Sequence, residues 1–229
     1  KKLTKIGKII DFFTSQLRSG KSFQNIVQAR KAYTDETGIN VVAGTILSKI
    51  IDEAIEVAGV NAARAIVDGG RKYNRSDADI FDKLVKLQSR MPNLSVRTST
   101  SVQEQAYSTP LPLAWLASVL AGVTHTTTLY EPSAGNGALT IGADPKNVTV
   151  NELNKERYEN LSKMGFHIVS NSDGTVYVSI PKDVVLANPP FGAVKDDNGV
   201  SKIFKINDQY STTQIDHAMV FKALESMKP

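Results

Sequence analysis

The stretch 126-TTTLYEPSAGNG-137 decides the fold that this sequence predicts. Its first five residues are mostly β-branched or aromatic, which is typical of a strand. The glycines at positions 135 and 137 indicate a tight turn in which backbone N–H groups can approach a ligand closely. In an open α/β sheet, such a turn at the carboxyl end of a strand borders the crevice where ligands bind, although two glycines also fit an ordinary turn.

Two phosphate-binding motifs do not match this turn. Thr140 stands where the dinucleotide-binding fingerprint needs its third glycine, so a dinucleotide ligand is disfavoured. No Gly-Lys-Ser or Gly-Lys-Thr follows the turn, so it is not a P-loop.

Strand and helix patterns alternate through the second half of the chain. After the first strand they predict strands at 147–150, 166–170, 175–180 and 183–187, and helices at 154–164 and 214–227. Residues 192–210 have neither pattern and are predicted to form a loop. This alternation is typical of a parallel sheet with helices on both faces, so the predicted fold class is α/β, a Rossmann-like doubly wound sheet.

Apolar residues recur at helical spacing through the first half of the chain. They predict helices at 3–17, 22–34, 46–55, 61–67 and 76–91, the last of which opens on Ser76 with Asp79 in the pattern of a capping box. Residues 92–105 are polar and rich in Ser and Thr, as linkers are. We therefore predict an all-helical N-terminal domain with its linker at 1–105 and an α/β domain at 106–229.

Charge is unevenly distributed over the 229 residues. Residues 1–105 hold 17 Lys and Arg against 11 Asp and Glu, a net charge of +6, whereas residues 106–229 have a net charge of −2. A basic front half favours an anionic partner, nucleic acid above all, and it also fits a set of solvated helix faces.

The composition excludes several classes of site and of protein. There are no cysteines, which excludes disulfides, cysteine-ligated zinc and thiol nucleophiles, and three scattered histidines disfavour a histidine-rich metal site. No apolar run reaches about 18 residues and no secretory signal is visible, so we expect a cytoplasmic protein without a membrane segment. The chain begins with Lys rather than Met, so we expect a piece of a longer protein.

Two further positions carry polar groups suited to a ligand. Glu152, after the second predicted strand, can accept hydrogen bonds from ribose hydroxyls, or it can complement the dipole of the helix that begins near Asn154. The segment 188-NPPF-191 follows an apolar strand. Its Asn oxygen and a neighbouring carbonyl can accept both hydrogens of an exocyclic amine, and its Phe can stack on a planar base; the alternative is simply a rigid loop.

These motifs together resemble those of a known enzyme family. Glu131–Gly137 and Asn188–Phe191 are similar to motifs I and IV of the amino-methyltransferases that use S-adenosylmethionine, most of all the adenine-N6 DNA methyltransferases. Residues 106–110, followed by a predicted helix at 113–120, resemble the segment that precedes motif I. The order of the three segments is the family's order, and the resemblance covers about residues 104–229. Residues 94–116, with the helices before them, also resemble the methylase-like part of phage and plasmid proteins that fuse a methyltransferase to a helicase.

The resemblance implies a set of cofactor-binding residues. Tyr107, Thr109 and Pro110 would contact the amino-acid end of S-adenosylmethionine. The methionine pocket would be shaped by Glu131, Gly135 and Gly137, and the ribose would be held by Glu152. Asp173 would bind the amino group of the cofactor adenine, unless Asn171 or Ser172 takes that role.

The resemblance also implies the catalytic residues and the reaction. Asn188 and Pro189 would hold the target amine, and Phe191 would stack on the flipped base. The implied activity is methyl transfer to an exocyclic amine, adenine N6 in DNA, whereas the absence of cysteine excludes a cytosine-C5 mechanism for this chain.

Other functions remain open at this point. The same chemistry serves an amine of RNA or the amide of a protein glutamine, and a non-catalytic module could use this fold to bind DNA or to dock on a helicase. The family's sheet has further strands, so we expect a sheet that is incomplete at its C-terminus, with an exposed edge. A fragment of this kind can be inactive alone, and a helicase or target-recognition domain would lie elsewhere in the parent chain.

Overall fold

The computed structural model describes residues 2–93, 108–196 and 198–229. The chain divides into two compact units. The first holds the N-terminal helices and residues 110–112, and the second holds Thr109 and the chain from Leu113 onward. Among the described residues, no helix is long and apolar enough to cross a membrane.

Four helices form the first unit, with the third at its centre. They are α1 (Lys2–Arg18), α2 (Ile26–Thr37), α3 (Ile46–Lys72) and α4 (Asp77–Gln88). Helices α1, α2 and α4 each pack against α3. The core of the unit contains almost fully buried side chains from all four helices: Phe13, Leu17, Ala29, Ile51, Ile55, Ile80 and Leu84.

Side chains at the N-caps determine where three of these helices begin. Asn25, Thr45 and Ser76 each accept a hydrogen bond from the backbone N–H of the residue three positions later. The first N–H groups of a helix have no acceptor within the helix, so a capping oxygen stabilises that end. Ser76 is thus the N-cap of α4, as its sequence pattern predicts.

The apolar patterns at 46–55 and 61–67 belong to one helix, α3, of 27 residues. Gly59 lies between them without interrupting the helix. A Cβ atom at Gly59 would overlap the side chain of Met91, and one at Gly70 would lie 2.5 Å from Cγ1 of Ile80. These two glycines therefore allow neighbouring segments to pack closely on α3.

The second unit is built on a four-stranded parallel sheet. Its strands are β1 (Leu129–Glu131), β2 (Val148–Asn151), β3 (Ile168–Ser170) and β4 (Val184–Val185). They lie in the order β3-β2-β1-β4, and every neighbouring pair is parallel. The chain builds outward from β1 to β3 and then returns to the other side of β1, which is the doubly wound arrangement. The predicted α/β fold class is therefore confirmed.

Three α-helices accompany these strands in the chain. Helix α5 (Leu111–Leu120) precedes β1, α6 (Lys155–Leu161) connects β2 to β3, and α7 (Ile215–Leu224) follows β4. Two 3-10 helices, Ala138–Thr140 and Pro145–Asn147, lie between β1 and β2. Apolar residues of the strands and of α6 form one core cluster that includes Leu129, Val148, Val150 and Leu161.

The strand predicted at 175–180 is wrong. Three apolar residues alternate along this segment, but the side chains of Val176, Val178 and Ile180 are 69%, 41% and 56% exposed. The carboxylate of Asp173 accepts hydrogen bonds from both the N–H and the hydroxyl of Thr175, and this local turn competes with strand pairing.

The segment predicted as a loop at 192–210 contains one strand of a small hairpin. Strand β5 (Phe204–Lys205) pairs antiparallel with β6 (Ser211–Thr212). At the outer edge of the main sheet, the N–H of Lys182 donates to Ser226 O at 2.8 Å, and the N–H of Lys228 donates back to Lys182 O at 2.9 Å. Within the described ranges β4 is the last strand on this side, so its outer edge beyond this contact is not paired.

Two adjacent glycines of α3 offer a test of how the helical unit packs. A Cβ at Gly69 meets no atom within 4 Å, whereas one at Gly70 meets the buried side chain of Ile80. We expect Gly69→Ala to raise the free energy of unfolding by about 0.5–1 kcal/mol, because alanine favours the helix. We expect Gly70→Ala to lower it by about 1–3 kcal/mol through overpacking. Urea denaturation followed by circular dichroism measures both, and changes of the same sign would contradict this account.

Candidate functional site

A cavity of about 280 Å³ lies at the carboxyl ends of the parallel strands. This volume is near the lower end of the range of small-molecule sites, which is about 300–1,000 Å³. The wall is formed by β2, by the loops that follow all four strands and by the start of α6 and α7: Pro132, Ser133, Gly135, Asn151, Glu152, Leu153, Asn154, Arg157, Asp173, Gly174, Asn188, Pro190, Ile215 and Met219. The carboxyl ends of parallel strands share one edge of a sheet, which is why these loops meet.

The turn after β1 has the backbone geometry that its glycines predict. Gly135 and Gly137 have φ values of +56° and +81°, in the left-handed region that favours glycine. A Cβ at Gly135 would meet no atom within 4 Å, whereas one at Gly137 would lie 3.3 Å from Leu161 and Phe166. Gly135 lies on the cavity wall, whereas Gly137 of the same turn and the buried Glu131 at the end of β1 do not line the cavity.

Glu152 binds the turn after β1 to the segment after β2. Its Oε2 accepts the N–H of Gly135 at 2.7 Å, and its Oε1 accepts the N–H of Asn154 at 2.8 Å. The residue is 8% exposed and lies on the cavity wall. Its position is compatible with both predicted roles, ribose binding and complementation of the helix dipole. The contacts add a third role, in which the carboxylate holds the glycine turn in place.

Asn151 is a site residue that the sequence analysis missed. Its Nδ2 donates to Pro132 O at 3.0 Å and to Ser172 O at 2.9 Å, and its Oδ1 accepts from Ser170 Oγ at 2.8 Å and from Ser172 N at 3.1 Å. It is 1% exposed. One buried amide therefore joins the loops after β1 and β3. An asparagine at the end of a strand of β-branched residues was the available signal.

Charged groups of both signs lie on the cavity wall. Asp173 and Glu152 supply carboxylates, and Arg157, which is 8% exposed, supplies a guanidinium. Asp173 Oδ1 is engaged by Thr175. Arg157 was also missed, since a single Arg in the helix after a strand is an ordinary sequence feature. Burial raises the pKa of the Tyr130 phenol in β1 above its usual value.

The segment after β4 turns sharply at the edge of the cavity. Asn188 and Pro190 lie on the wall, Pro189 is buried and Phe191 is 55% exposed. The N–H of Gly192 donates to Asp216 Oδ1 at 3.2 Å, and Gly192 O accepts the N–H of Ile215 at 2.9 Å. These two bonds anchor the turn to the start of α7.

The segment before α5 is placed only in part. Thr109 Oγ1 accepts a hydrogen bond from Asn188 Nδ2 at 3.0 Å, so it lies beside the Asn188 turn. Pro110 groups with the helical unit, and Tyr107 lies outside the described residues. Asn171 donates to Glu152 O and Leu153 O, and Ser172 binds Asn151. Neither residue lines the cavity, whereas Asp173 does. The described residues contain no group of three side chains that could hold a metal ion.

Comparisons with known proteins find little. No family model matches the chain, and no curated protein matches it. Among solved structures it is similar to a protein of Listeria monocytogenes whose assignment as a class I S-adenosylmethionine-dependent methyltransferase is itself provisional. The identity is 12% and the TM-score is 0.40, over 99% of this chain and 70% of that one. An identity and a TM-score this low do not assign a function to this chain.

The role of Asn151 can be tested through stability. We expect Asn151→Ala to lower the free energy of unfolding of the sheet unit by about 2–4 kcal/mol, because it leaves several buried polar groups without partners. Asn147→Ala is the matched control, since Asn147 makes a single exposed bond to His125 O, and its cost should stay below about 1 kcal/mol. Thermal and urea unfolding measure both variants. If the two variants lost the same free energy of unfolding, the amide of Asn151 would not be what holds the loops together.

Proposed function

We propose that this chain is the cofactor- and amine-binding part of an S-adenosylmethionine-dependent methyltransferase, with adenine N6 in DNA as its target. One observation carries the proposal: the glycine turn after β1 and the Asn188 turn after β4 line one cavity. They meet where the strand order reverses, between β1 and β4. In doubly wound sheets this switch point is where ligands bind.

The cavity residues fit an elongated cofactor that carries an amino acid, a ribose and an adenine. Carboxylates and a guanidinium suit a zwitterion and a ribose diol, and Leu153, Ile215 and Met219 add apolar walls. The hydroxyl of Ser133 is buried and has no hydrogen-bond partner among the described residues. Gly135 leaves open space where a side chain would begin. An unsatisfied hydroxyl beside a glycine of the cavity wall supports a ligand at this place.

The proposed cofactor contacts follow from these positions. The turn at 131–137 would hold the methionine end and Glu152 the ribose. A carboxylate oxygen can accept more than one hydrogen bond, so the backbone contacts of Glu152 leave it able to bind hydroxyls. Asp173 binds Thr175 through Oδ1, so its Oδ2 would accept the adenine amino group. When bound, S-adenosylmethionine supplies a methyl group that is already activated on a sulfonium.

Asn188 would act on the amine. The lone pair of an aromatic amine is delocalised into the ring, which makes the nitrogen a poor nucleophile. Acceptance of its N–H groups by Asn188 Oδ1 and the Pro189 carbonyl would favour a tetrahedral nitrogen and stabilise the positive charge that develops there. Proline fixes the backbone of this turn, so the acceptors would be held in place before the amine arrives.

Two features favour DNA as the substrate. The helical half of the chain is basic, with a net charge of +6 over residues 1–105, which suits a phosphate backbone. Phe191 is more than half exposed beside the Asn188 turn, where its ring could stack on a base. Extrusion of a base from a duplex costs a few kcal/mol, and stacking would offset part of that cost.

The substrate class can be determined by transfer of a labelled methyl group. The full 229-residue chain is incubated with S-adenosylmethionine and, separately, with unmethylated DNA, RNA and protein. We expect label in DNA, recovered as N6-methyladenine after digestion. Label in RNA or in protein glutamine would move the substrate to that class. No transfer together with no calorimetric binding of S-adenosylmethionine would favour a non-catalytic module and contradict the proposal.

Asn188→Ala should separate catalysis from cofactor binding. We expect methyl transfer to fall by at least about 100-fold, because the variant lacks the proposed acceptor, with the cofactor Kd changed by less than about threefold. The matched control is Asn198→Ala, at an exposed position in the segment after β4, which should retain activity. Normal turnover by Asn188→Ala would refute the proposed amine contact.

Gly135→Val should weaken cofactor binding. Valine is strained at a φ of +56°, and its side chain would stand at the cavity wall. Gly165→Val is the matched control, because Gly165 also has a positive φ, +76°, with no atom near its Cβ, and it does not line the cavity. We expect both variants to lose similar stability, and only Gly135→Val to lose about tenfold or more in S-adenosylmethionine affinity by calorimetry. Equal affinities would place the cofactor elsewhere.

A further inference from the structure

A hydrogen bond joins the proposed amine-binding residue to a threonine 79 positions earlier in the chain. Asn188 Nδ2 donates to Thr109 Oγ1 at 3.0 Å, and the pair is partly buried. Both residues belong to the sheet unit. Asn188 also lies on the cavity wall. Thr109 therefore contacts the side chain that the proposed reaction depends on.

The orientation of this amide decides what it can bind. An asparagine side chain has an acceptor at one end and two donors at the other, so a half-turn of the amide exchanges them. In the structure the NH2 group faces Thr109, which leaves Oδ1 as the group that can accept an N–H from a ligand. The opposite orientation would present a donor, which suits a carbonyl rather than an amine.

We propose that Thr109 is a positioning residue that selects for an amine. By accepting from Asn188 Nδ2, its hydroxyl holds Oδ1 ready for an exocyclic amine, whereas a base with a carbonyl at the same position would require the amide to turn over and the hydroxyl to donate instead. The inference rests on the proposed function, because it takes the group that meets Asn188 to be the target amine. It differs from the role in cofactor contact that the family resemblance implies for Thr109.

Base preference tests the inference without catalysis. The probes are two single-stranded DNA oligonucleotides of one sequence, the second with hypoxanthine, which has a carbonyl in place of the amine, at every adenine. Affinities for the full chain are measured by fluorescence anisotropy with S-adenosylhomocysteine present. We expect the wild type to bind the adenine oligonucleotide about tenfold more tightly, since one well-made hydrogen bond is replaced by a repulsive contact. Equal affinities, or a preference for hypoxanthine, would overturn the inference.

Three variants isolate the hydroxyl and the amide. Thr109→Val keeps the shape and removes the hydroxyl, so the adenine preference should fall to about twofold or less. Thr109→Ser keeps the hydroxyl and should retain the preference. The carboxylate of Asn188→Asp presents an acceptor at both ends, so its orientation no longer matters. In that background, Thr109→Val should reduce the adenine preference little further. Circular dichroism establishes that each variant is folded, and Thr109→Ala, which also lacks the hydroxyl, takes the place of Thr109→Val if that variant is not.

The outcomes distinguish this inference from a role of Thr109 in cofactor contact, and they distinguish its failure from failure of the proposed function. A Thr109→Val variant that loses affinity for S-adenosylhomocysteine but keeps the adenine preference would overturn the inference in favour of cofactor contact. If Thr109→Val abolished the adenine preference even in the Asn188→Asp background, that result would also overturn the inference. If the wild type transfers no methyl group but its adenine preference depends on Thr109, the proposed reaction fails and the role of Thr109 stands.

Discussion

Parallel hydrogen bonding along both edges of β1 is the constraint on which the sheet unit depends. Leu129 lies opposite Val148 of β2 on one side and opposite Val184 of β4 on the other. Because the strands run in one direction, their carboxyl ends and the loops that follow them share one edge of the sheet. β1 satisfies its backbone groups on both sides, which lets Leu129 and Tyr130 be completely buried. Backbone pairing, rather than attraction between side chains, thus gathers the cavity residues.

Buried and partly buried polar groups then hold the loops at that edge. Asn151 joins the segments after β1 and β3, Glu152 accepts the N–H of Gly135, and Asp216 accepts the N–H of Gly192. A satisfied polar network in a buried place is costly to break, so it favours one arrangement of the loops over others. The polar residues around the cavity therefore do structural work before any ligand arrives, and the cavity wall is preorganised for binding.

Local chemistry explains why some features were predictable and others were not. The turn at 131–137 was recognisable because only glycine readily takes a positive φ, and the N-cap Ser76 was recognisable because a helix start needs an acceptor. The segment 175–180 has the alternation of a strand, but it has no strand partner, and Asp173 turns the chain just before it. Alternating apolar and polar residues describe a side-chain pattern, whereas a strand also requires a second strand to pair with.

The sequence by itself determined the α/β class, the glycine turn after β1 and the stiff Asn-Pro-Pro corner, because each follows from backbone preferences and apolar periodicity within a few residues. Only the tertiary structure decided that the two turns share a cavity, that Asn151 joins the loops, and that Thr109 binds Asn188 across 79 residues of chain. Such contacts depend on strand order and register, which are settled when all the strands pair together. A local pattern cannot specify a partner that lies so far away in the chain.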